Sequence, residues 1–348
     1  MTPTLFERQI LRTRNGLAYL AGANRPAMGQ TPRDLVWKRD KARLWRYRSD
    51  ARRWGPPILI VHSLVSKSYI LDLLPGTSMI GYLIDEGFDV FLLDWVPPDP
   101  ADAGNTLETY VDEYIPDAIG AVLVEADADE VTLIGYCYGG VLTLLLAAAH
   151  PEVPVRSLMV MATPCDYHEM GFMSNMFREG RLNPDDVIDE TGLVPAGALD
   201  EGFQSLKPTE YVTQRVNFFQ NLWNDEFVEG FLAIAFWARD QVAFPGGVFR
   251  QTVDRLIRQN ALLSGVVPHG RGELHLEDIR CPFLNAYAEQ DTITPAASSE
   301  PLTRLVGSED VSELRLESGH IGFVAGRQAA KVARPQIRGW LADHSDDK

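Results

Sequence analysis

Gly135-Tyr136-Cys137-Tyr138-Gly139-Gly140 places a cysteine at the centre of a G-x-Nuc-x-G spacing. A short apolar run, Val131-Thr132-Leu133-Ile134, precedes these six residues, and the longer run Val141 to Ala149 follows them. Strand, sharp turn and helix form the context in which such a turn exposes its central side chain as a nucleophile. The reactive form of cysteine is the thiolate, which attacks acyl carbonyls. Thiolate attack on a thioester exchanges one thioester for another at nearly neutral free energy. A serine would form an oxygen ester and lose the activation of the acyl group. Cysteine therefore points to acyl transfer from a thioester such as an acyl-CoA to a hydroxyl, rather than to ordinary ester hydrolysis.

A nucleophile of this kind needs a base, an acid that orients the base, and donors for the oxyanion. The chain order for this architecture is nucleophile, acid, histidine. Asp291 follows the apolar run Phe283 to Ala288, and His320 follows the run Ser312 to Leu316. Both therefore fall past the carboxyl ends of strands, on the sheet edge where Cys137 lies. Neutral His320 would take the thiol proton, and Asp291 would fix the imidazole tautomer and stabilise the imidazolium. The backbone N–H of Tyr138 is one expected oxyanion donor. The second is Leu64 or Val65, in the turn after Ile58-Leu59-Ile60-Val61. His62 competes for the role of base but precedes the nucleophile. Asp94 competes for the role of acid, but Trp95 and the prolines after it suggest a structural turn. Asp240 reads as a solvated or paired residue, and His150, His168, His269, His275 and His344 as surface or cap residues. Cys165 and Cys281 read as packing residues. No CxxC pair occurs, so neither a metal site nor a disulfide framework is expected, and three sparse cysteines fit a reducing cytoplasm.

The elements that must position these groups alternate. Strand runs at Ile58–Val61, Phe88–Trp95, Val131–Tyr136 and Val155–Thr163 are separated by helical patterns at Ser78–Glu86, closed by Gly87, and at Thr106–Val124. Such alternation predicts right-handed crossovers and a mainly parallel sheet flanked by helices, an α/β-hydrolase fold. From Asp166 to about Leu274 the alternation stops. Helical patterns such as Asn217–Trp237 and Val248–Leu263 dominate, punctuated by Pro184, Pro195, Pro208 and Pro245. The expected organisation is a core of residues 1–165 and 275–348 with an inserted, largely helical cap at 166–274. The core resumes with Phe283–Ala288 and Ser312–Leu316 and closes with a helix from about Arg327 to Asp343.

Composition limits the alternatives. The 348 residues are 45% hydrophobic and 23% charged, a profile that supports a large packed core, and the formal net charge of -16 disfavours nucleic-acid binding. Residues 1–50 run against that balance, with Lys38, Arg39, Lys41, Arg43, Arg46 and Arg48, and Arg52 and Arg53 extend the cluster. They read as a charged, solvated leading segment, or alternatively as a patch for coenzyme A phosphates or a polymer surface. Met1 to Leu20 lacks the apolar core of a signal peptide, and no apolar run reaches the roughly 20 residues of a membrane span.

Taken together, the motifs resemble those of polyhydroxyalkanoate synthases, most closely the short catalytic subunit of the two-subunit class III enzymes. The matching stretches are Lys67-Ser68-Tyr69-Ile70-Leu71-Asp72-Leu73, Asp89 to Trp95, Thr106 to Val111, the cysteine turn, Ser205-Leu206-Lys207-Pro208 and Ser318-Gly319-His320-Ile321-Gly322. The resemblance covers the chain after about residue 30. It implies a triad of Cys137, Asp291 and His320, and polymerisation of (R)-3-hydroxyacyl-CoA with release of CoA. It also implies a growing polyester chain carried on cysteine, a second synthase subunit, self-association and residence at a cytoplasmic polymer granule. Acyl-CoA is then a substrate, and no separate cofactor is expected. Two positions beside the oxyanion turn depart from the family pattern: Ser66, where Asn is usual, and Ser68, where an aromatic is common. The competing expectations are a related thioesterase or depolymerase that uses water, and a non-catalytic granule-associated protein.

Overall fold

The structure, a computed structural model, describes residues 4–22, 26–49, 51–206, 210–270 and 272–347. Among these residues eight strands form one sheet. They are β1 (Asp34–Arg39), β2 (Ala42–Tyr47), β3 (Ile58–Val61), β4 (Val90–Trp95), β5 (Val131–Tyr136), β6 (Val155–Met161), β7 (Phe283–Ala288) and β8 (Val311–Leu316). The spatial order is β1-β2-β4-β3-β5-β6-β7-β8. The pairs β1·β2 and β2·β4 are antiparallel, and every other pair is parallel. This is the α/β-hydrolase arrangement.

The parallel strands are buried on both faces, as crossover helices require. Leu59, Val61, Leu133, Leu158 and Val160 pack on one face with α3 (Ile115–Ala126) and α4 (Tyr138–Ala149). Their neighbours Ile58, Ile60, Ile134, Met159 and Met161 pack on the other, with α2 (Met79–Asp85) and the closing helix Arg334–Asp343. The period of two along each strand divides the core into these layers. Helix α2 starts where Ser78 Oγ accepts the Gly81 N–H at 2.8 Å.

Three segments differ from the sequence expectation. The helical pattern at Thr106–Val124 divides into a π-helical turn, Thr109–Tyr114, and α3. Pro116, at the start of α3, has no N–H and would press on the carbonyl four residues back, and the wider turn relieves that clash. The π-helical turn Ala329–Ala333 stands in the same relation to Pro335. Second, residues 34–47 form the hairpin β1–β2, which closes the antiparallel edge of the sheet. Three of its cations are paired with carboxylates. Arg39 binds Asp117 (2.7 Å) and Glu113, Lys41 binds Asp99 (2.5 Å) and Arg46 binds Asp89 (2.7 Å). A helix, α1 (Leu5–Leu20), precedes the hairpin and docks on the inserted layer. Asn15 Nδ2 donates to Leu222 O and to Asp225 Oδ1, both at 2.7 Å, and the Tyr19 and Phe218 rings lie 5.0 Å apart. Third, the insertion is not wholly helical. Val266–His269 pairs with Gly272–His275 as an antiparallel hairpin, and Leu193–Val194 with Phe244–Pro245 as a short bridge. Its helices include α5 (Gly171–Arg178), α6 (Ala196–Ser205), α7 (Glu210–Gln220), α8 (Asp225–Arg239) and α9 (Gly246–Gln251), the last continued by a π-helical turn, Thr252–Arg258. Lys207 and Pro208 of the family motif, and Met1, lie outside the described residues.

Between β5 and α4 the chain reverses at Cys137, with φ 55° and ψ −121°. A non-glycine residue pays strain for this conformation and holds it only when its surroundings enforce it. The Cys137 N–H donates to Met161 O at 2.8 Å, and Cys137 O accepts the Gly140 N–H at 3.0 Å. The glycines permit the close packing. A Cβ on Gly139 would lie 2.1 Å from Val61 O, and one on Gly140 would lie 1.9 Å from Thr163 Oγ1. Gly139→Ala should therefore destabilise the fold by about 1–3 kcal/mol, because strand backbone cannot step aside. Gly120→Ala, on α3 with open space around it, should instead stabilise by up to about 1 kcal/mol. Urea midpoints of the two variants check the contrast, and equal shifts would contradict it.

Candidate active site

The structure brings Cys137, Asp291 and His320 together at the carboxyl edge of the sheet. Asp291 lies in the turn after β7, and His320 opens a short 3-10 turn, His320–Phe323, after β8. His320 Nδ1 lies 2.7 Å from Asp291 Oδ2, and both side chains are buried. Asp291 Oδ1 accepts the N–H groups of Ile293 (2.8 Å) and Thr294 (2.9 Å). The carboxylate is thus fixed by its own turn, and its second oxygen is committed to the imidazole. The Cys137 side chain is close enough to the His320 ring to act on its charge, and with Nδ1 on Asp291, Nε2 is the ring nitrogen left for the sulfur. Burial alone disfavours the imidazolium. The charges of Asp291 and Cys137 outweigh it, so that the His320 pKa is pushed up to about 10.

His62, the competing base, has the opposite environment. Its ring is buried and stacked on Tyr136, with centroids 5.7 Å apart. Its Nε2 lies 3.1 Å from Ser66 Oγ, and its carbonyl accepts the Trp95 Nε1 hydrogen at 2.9 Å. Burial pushes its pKa down to about 3. The Tyr136 ring also lies 5.8 Å from the His320 ring, tilted to it. Asp94 is half-buried, and desolvation raises its carboxyl above the usual range against the opposing influence of Ser68, Arg33 and Lys67. It belongs to the support of the β3 loop. Asp240 accepts a hydrogen bond from Tyr69 at 3.1 Å. Cys165 is fully buried, and burial pushes its thiol up to about 12. Cys281 is half-buried and is pushed up to about 11 by the same cause. His150 and His269 share Asp112, and His168 contacts Ile257 O.

Tyr138 occupies the first position of α4, where a helix start leaves N–H groups without intrahelical acceptors. The positive end of α4 is thereby aimed at the Cys137 region and favours negative charge that develops there. Of the two residues expected in the β3 loop, Val65 lines the cavity beside Cys137 and Tyr138, whereas the Leu64 side chain is in the core. The Val65 N–H contacts Ser63 Oγ at 3.4 Å. The loop is also gripped by the insertion: Trp237 Nε1 donates to Lys67 O at 2.7 Å, and the Val242 N–H to Val65 O at 3.5 Å.

Cys137 opens on a cavity of about 230 Å³ roofed by the insertion. Met173 and Phe177 of α5, Leu199 and Phe203 of α6 and Phe249 of α9 form an almost wholly apolar wall. Tyr167 and Thr294 also line it, and sequence reasoning passed over both. Each follows the carboxyl end of a strand, the same positional signal that marked Asp291 and His320. Water is disfavoured against such a wall, and an acyl chain is favoured.

Residues 56–326 match a family model described as alpha/beta hydrolase fold. The chain is 34% identical over 332 residues to the poly(3-hydroxyalkanoate) polymerase subunit PhaC of Allochromatium vinosum, covering 94% of this chain and 92% of that protein. It is 32% identical to the protein of the same name from Thiocystis violacea, covering 95% and 93%. It is 34% identical to that of Haloferax mediterranei, covering 92% of this chain and 65% of the relative's length. Among solved structures, a thermophilic esterase from Thermogutta terrifontis is similar in fold, with a TM-score of 0.53 at 16% identity over 90% of this chain and 99% of that one. A hydrolase from Pseudomonas aeruginosa is similar to the same degree (TM-score 0.52, 16% identity, 91% and 99%).

The raised His320 pKa gives stability a pH dependence. A folded pKa above the ordinary value of about 6.5 contributes stability that is fully present below pH 6.5 and is lost as pH rises toward about 10. Between those limits the wild type should lose urea resistance relative to His320→Gln, which lacks the titrating group. Parallel stability curves for the two proteins would contradict the assigned charge state.

Proposed function

Because the chain belongs to the poly(3-hydroxyalkanoate) polymerase family, we propose that it is a polyester synthase that transfers (R)-3-hydroxyacyl groups from CoA to a growing polyester through a thioester on Cys137. The observation that carries this reading is a cysteine, not a serine, at a strained turn, linked through His320 to a fixed Asp291 and opening on an apolar cavity.

In the first step His320 holds the Cys137 proton, and the thiolate attacks the thioester carbonyl of the acyl-CoA. The oxyanion is met by the Tyr138 N–H and by an N–H of the Leu64-Val65 turn. The carbon–sulfur bond to CoA breaks, and the proton passes from His320 to the departing CoA thiolate. In the second step the hydroxyl of an incoming or resident 3-hydroxyacyl unit gives its proton to His320 and attacks the acyl-cysteine carbonyl. An ester forms, and Cys137 is released. Asp291 holds the imidazole in place in both steps. No cofactor enters either step. The apolar cavity supports the sequence, because an acyl-cysteine kept from water survives until an alcohol reaches it.

The Allochromatium and Thiocystis relatives are polymerase subunits, which supports a companion chain and self-association for this protein too. Residence at the surface of a polymer granule in the cytoplasm follows from the same reading. Among the described residues no helix is long and apolar enough to cross a membrane.

The reading is tested by CoA release and polymer formation from 3-hydroxybutyryl-CoA, with and without a companion subunit. Cys137→Ala should abolish CoA release. His320→Gln should slow acylation roughly 10²–10⁴-fold, as expected for loss of a general base. Asp291→Asn should retain more acylation than His320→Gln while impairing elongation. Free 3-hydroxybutyrate without polymer would instead favour a hydrolase, and equal acylation rates in all three variants would overturn the assigned roles.

A further inference from the structure

Two buried hydroxyls in the cavity have no role in the steps above. Tyr167 is 4% exposed and Thr294 1% exposed, and both line the cavity that contains Cys137. Neither the Tyr167 OH nor the Thr294 Oγ1 has a hydrogen-bond partner in the protein. A buried hydroxyl without a partner is costly, and each such group in a folded protein calls for an explanation. The other aromatic hydroxyl facing this space is already satisfied, since Tyr138 OH lies 2.6 Å from Thr252 Oγ1.

The backbones that carry the two unpartnered groups are held tightly. The Tyr167 N–H donates to Asn260 Oδ1 at 2.9 Å, and Asn260 Nδ2 is anchored in turn on Asp166 Oδ1 at 2.8 Å. The Tyr167 carbonyl accepts the Ser174 hydroxyl. The Thr294 N–H is one of the two donors that fix Asp291, so the Thr294 hydroxyl keeps a constant position relative to the triad. Burial first, then the neighbouring Tyr138 and Cys137, raise the Tyr167 pKa well above the ordinary phenol value, which keeps the group a neutral donor. Two fixed, neutral hydroxyls in an otherwise apolar wall are suited to a single polar group on an otherwise apolar ligand.

A 3-hydroxyacyl group attached to Cys137 carries one such group, two carbons beyond its carbonyl carbon. We infer that Tyr167 and Thr294 hydrogen-bond the 3-hydroxyl of the acyl unit and so select hydroxylated acyl groups over unsubstituted ones. The inference rests on the proposed acylation of Cys137 by acyl-CoA. A hydroxyl has one hydrogen to give and two lone pairs to offer, and the pair of side chains can meet both capacities. A site built around a substrate hydroxyl rejects the analogue lacking it, because its own polar groups are then left unpaired.

The test is the first-turnover burst of CoA release from 3-hydroxybutyryl-CoA and from butyryl-CoA, using the full chain. Acyl-Cys137 is followed in parallel by mass spectrometry. The wild type should acylate faster with the hydroxylated donor by about 10²-fold or more. Tyr167→Phe and Thr294→Val should each reduce that ratio about tenfold, with thermal unfolding close to wild type. An unchanged ratio in both variants, or an equal slowing with both donors, would overturn the inference and leave the two hydroxyls as packing groups. Absence of a burst from either donor in the wild type would overturn the acyl-transfer reading and the inference with it.

Discussion

Cys137 holds a positive φ on a residue with a side chain, and the surroundings that compensate this strain organise the rest of the site. Strand β5 must end under strand β3 closely enough that no Cβ fits at position 139, and α4 must start close enough to Thr163 that none fits at position 140. Once those approaches are made, the first turn of α4 sits beneath Cys137 and the β3 loop lies beside it. The turns after β7 and β8, which carry Asp291 and His320, complete the same sheet edge. The parallel register of five neighbouring strands is what makes these ends coincide.

Charge and burial then divide the two histidines nearest the turn. His320 has a carboxylate on one nitrogen and a thiol on the other side, and it gains protons easily. His62 has a serine hydroxyl and an aromatic face, and it loses them. Tyr136 touches both rings and donates to the His320 carbonyl at 3.4 Å. The pairing of a proton-accepting histidine with one held neutral follows from which neighbours each ring can reach.

The elbow and the alternating core were legible in the sequence because close backbone packing demands glycine and doubly covered strands demand continuous apolar runs. Val131–Tyr136 and Phe283–Ala288 therefore appear in the structure with the boundaries the sequence suggests. Residues 34–47 were not legible as strands. Their arginines and lysines suggested a solvated segment, whereas the structure lays them on an edge hairpin and neutralises several of them with carboxylates from distant positions such as Asp89, Asp99 and Asp117. Pairings of that kind depend on tertiary neighbours and leave no local pattern. The hairpin at 266–275 was missed for another reason, because its strands are four residues each and carry a proline. Tyr167 and Thr294 carry the same positional signal as Asp291 and His320, past the ends of β6 and β7, but what sets them apart, a buried hydroxyl without a partner, is read only from coordinates.

The cavity bears on why a thiol stands where related folds place a hydroxyl. Hydrolysis and chain extension share the same acyl-enzyme and differ only in which oxygen reaches it. A water molecule gains little from a wall of Met173, Phe177, Leu199, Phe203 and Phe249, whereas a hydroxyacyl chain buries apolar surface there at roughly 25 cal/mol per Å². The wall thus biases the competition toward the chain's own hydroxyl. That bias is useful only if the acyl group keeps its activation while it waits. An oxygen ester on serine would discharge that activation in the first step, and the second would then exchange one ester for another with no net drive. In the proposed mechanism a thioester on Cys137 would retain the drive for ester formation, so the apolar roof and the sulfur would serve the same end.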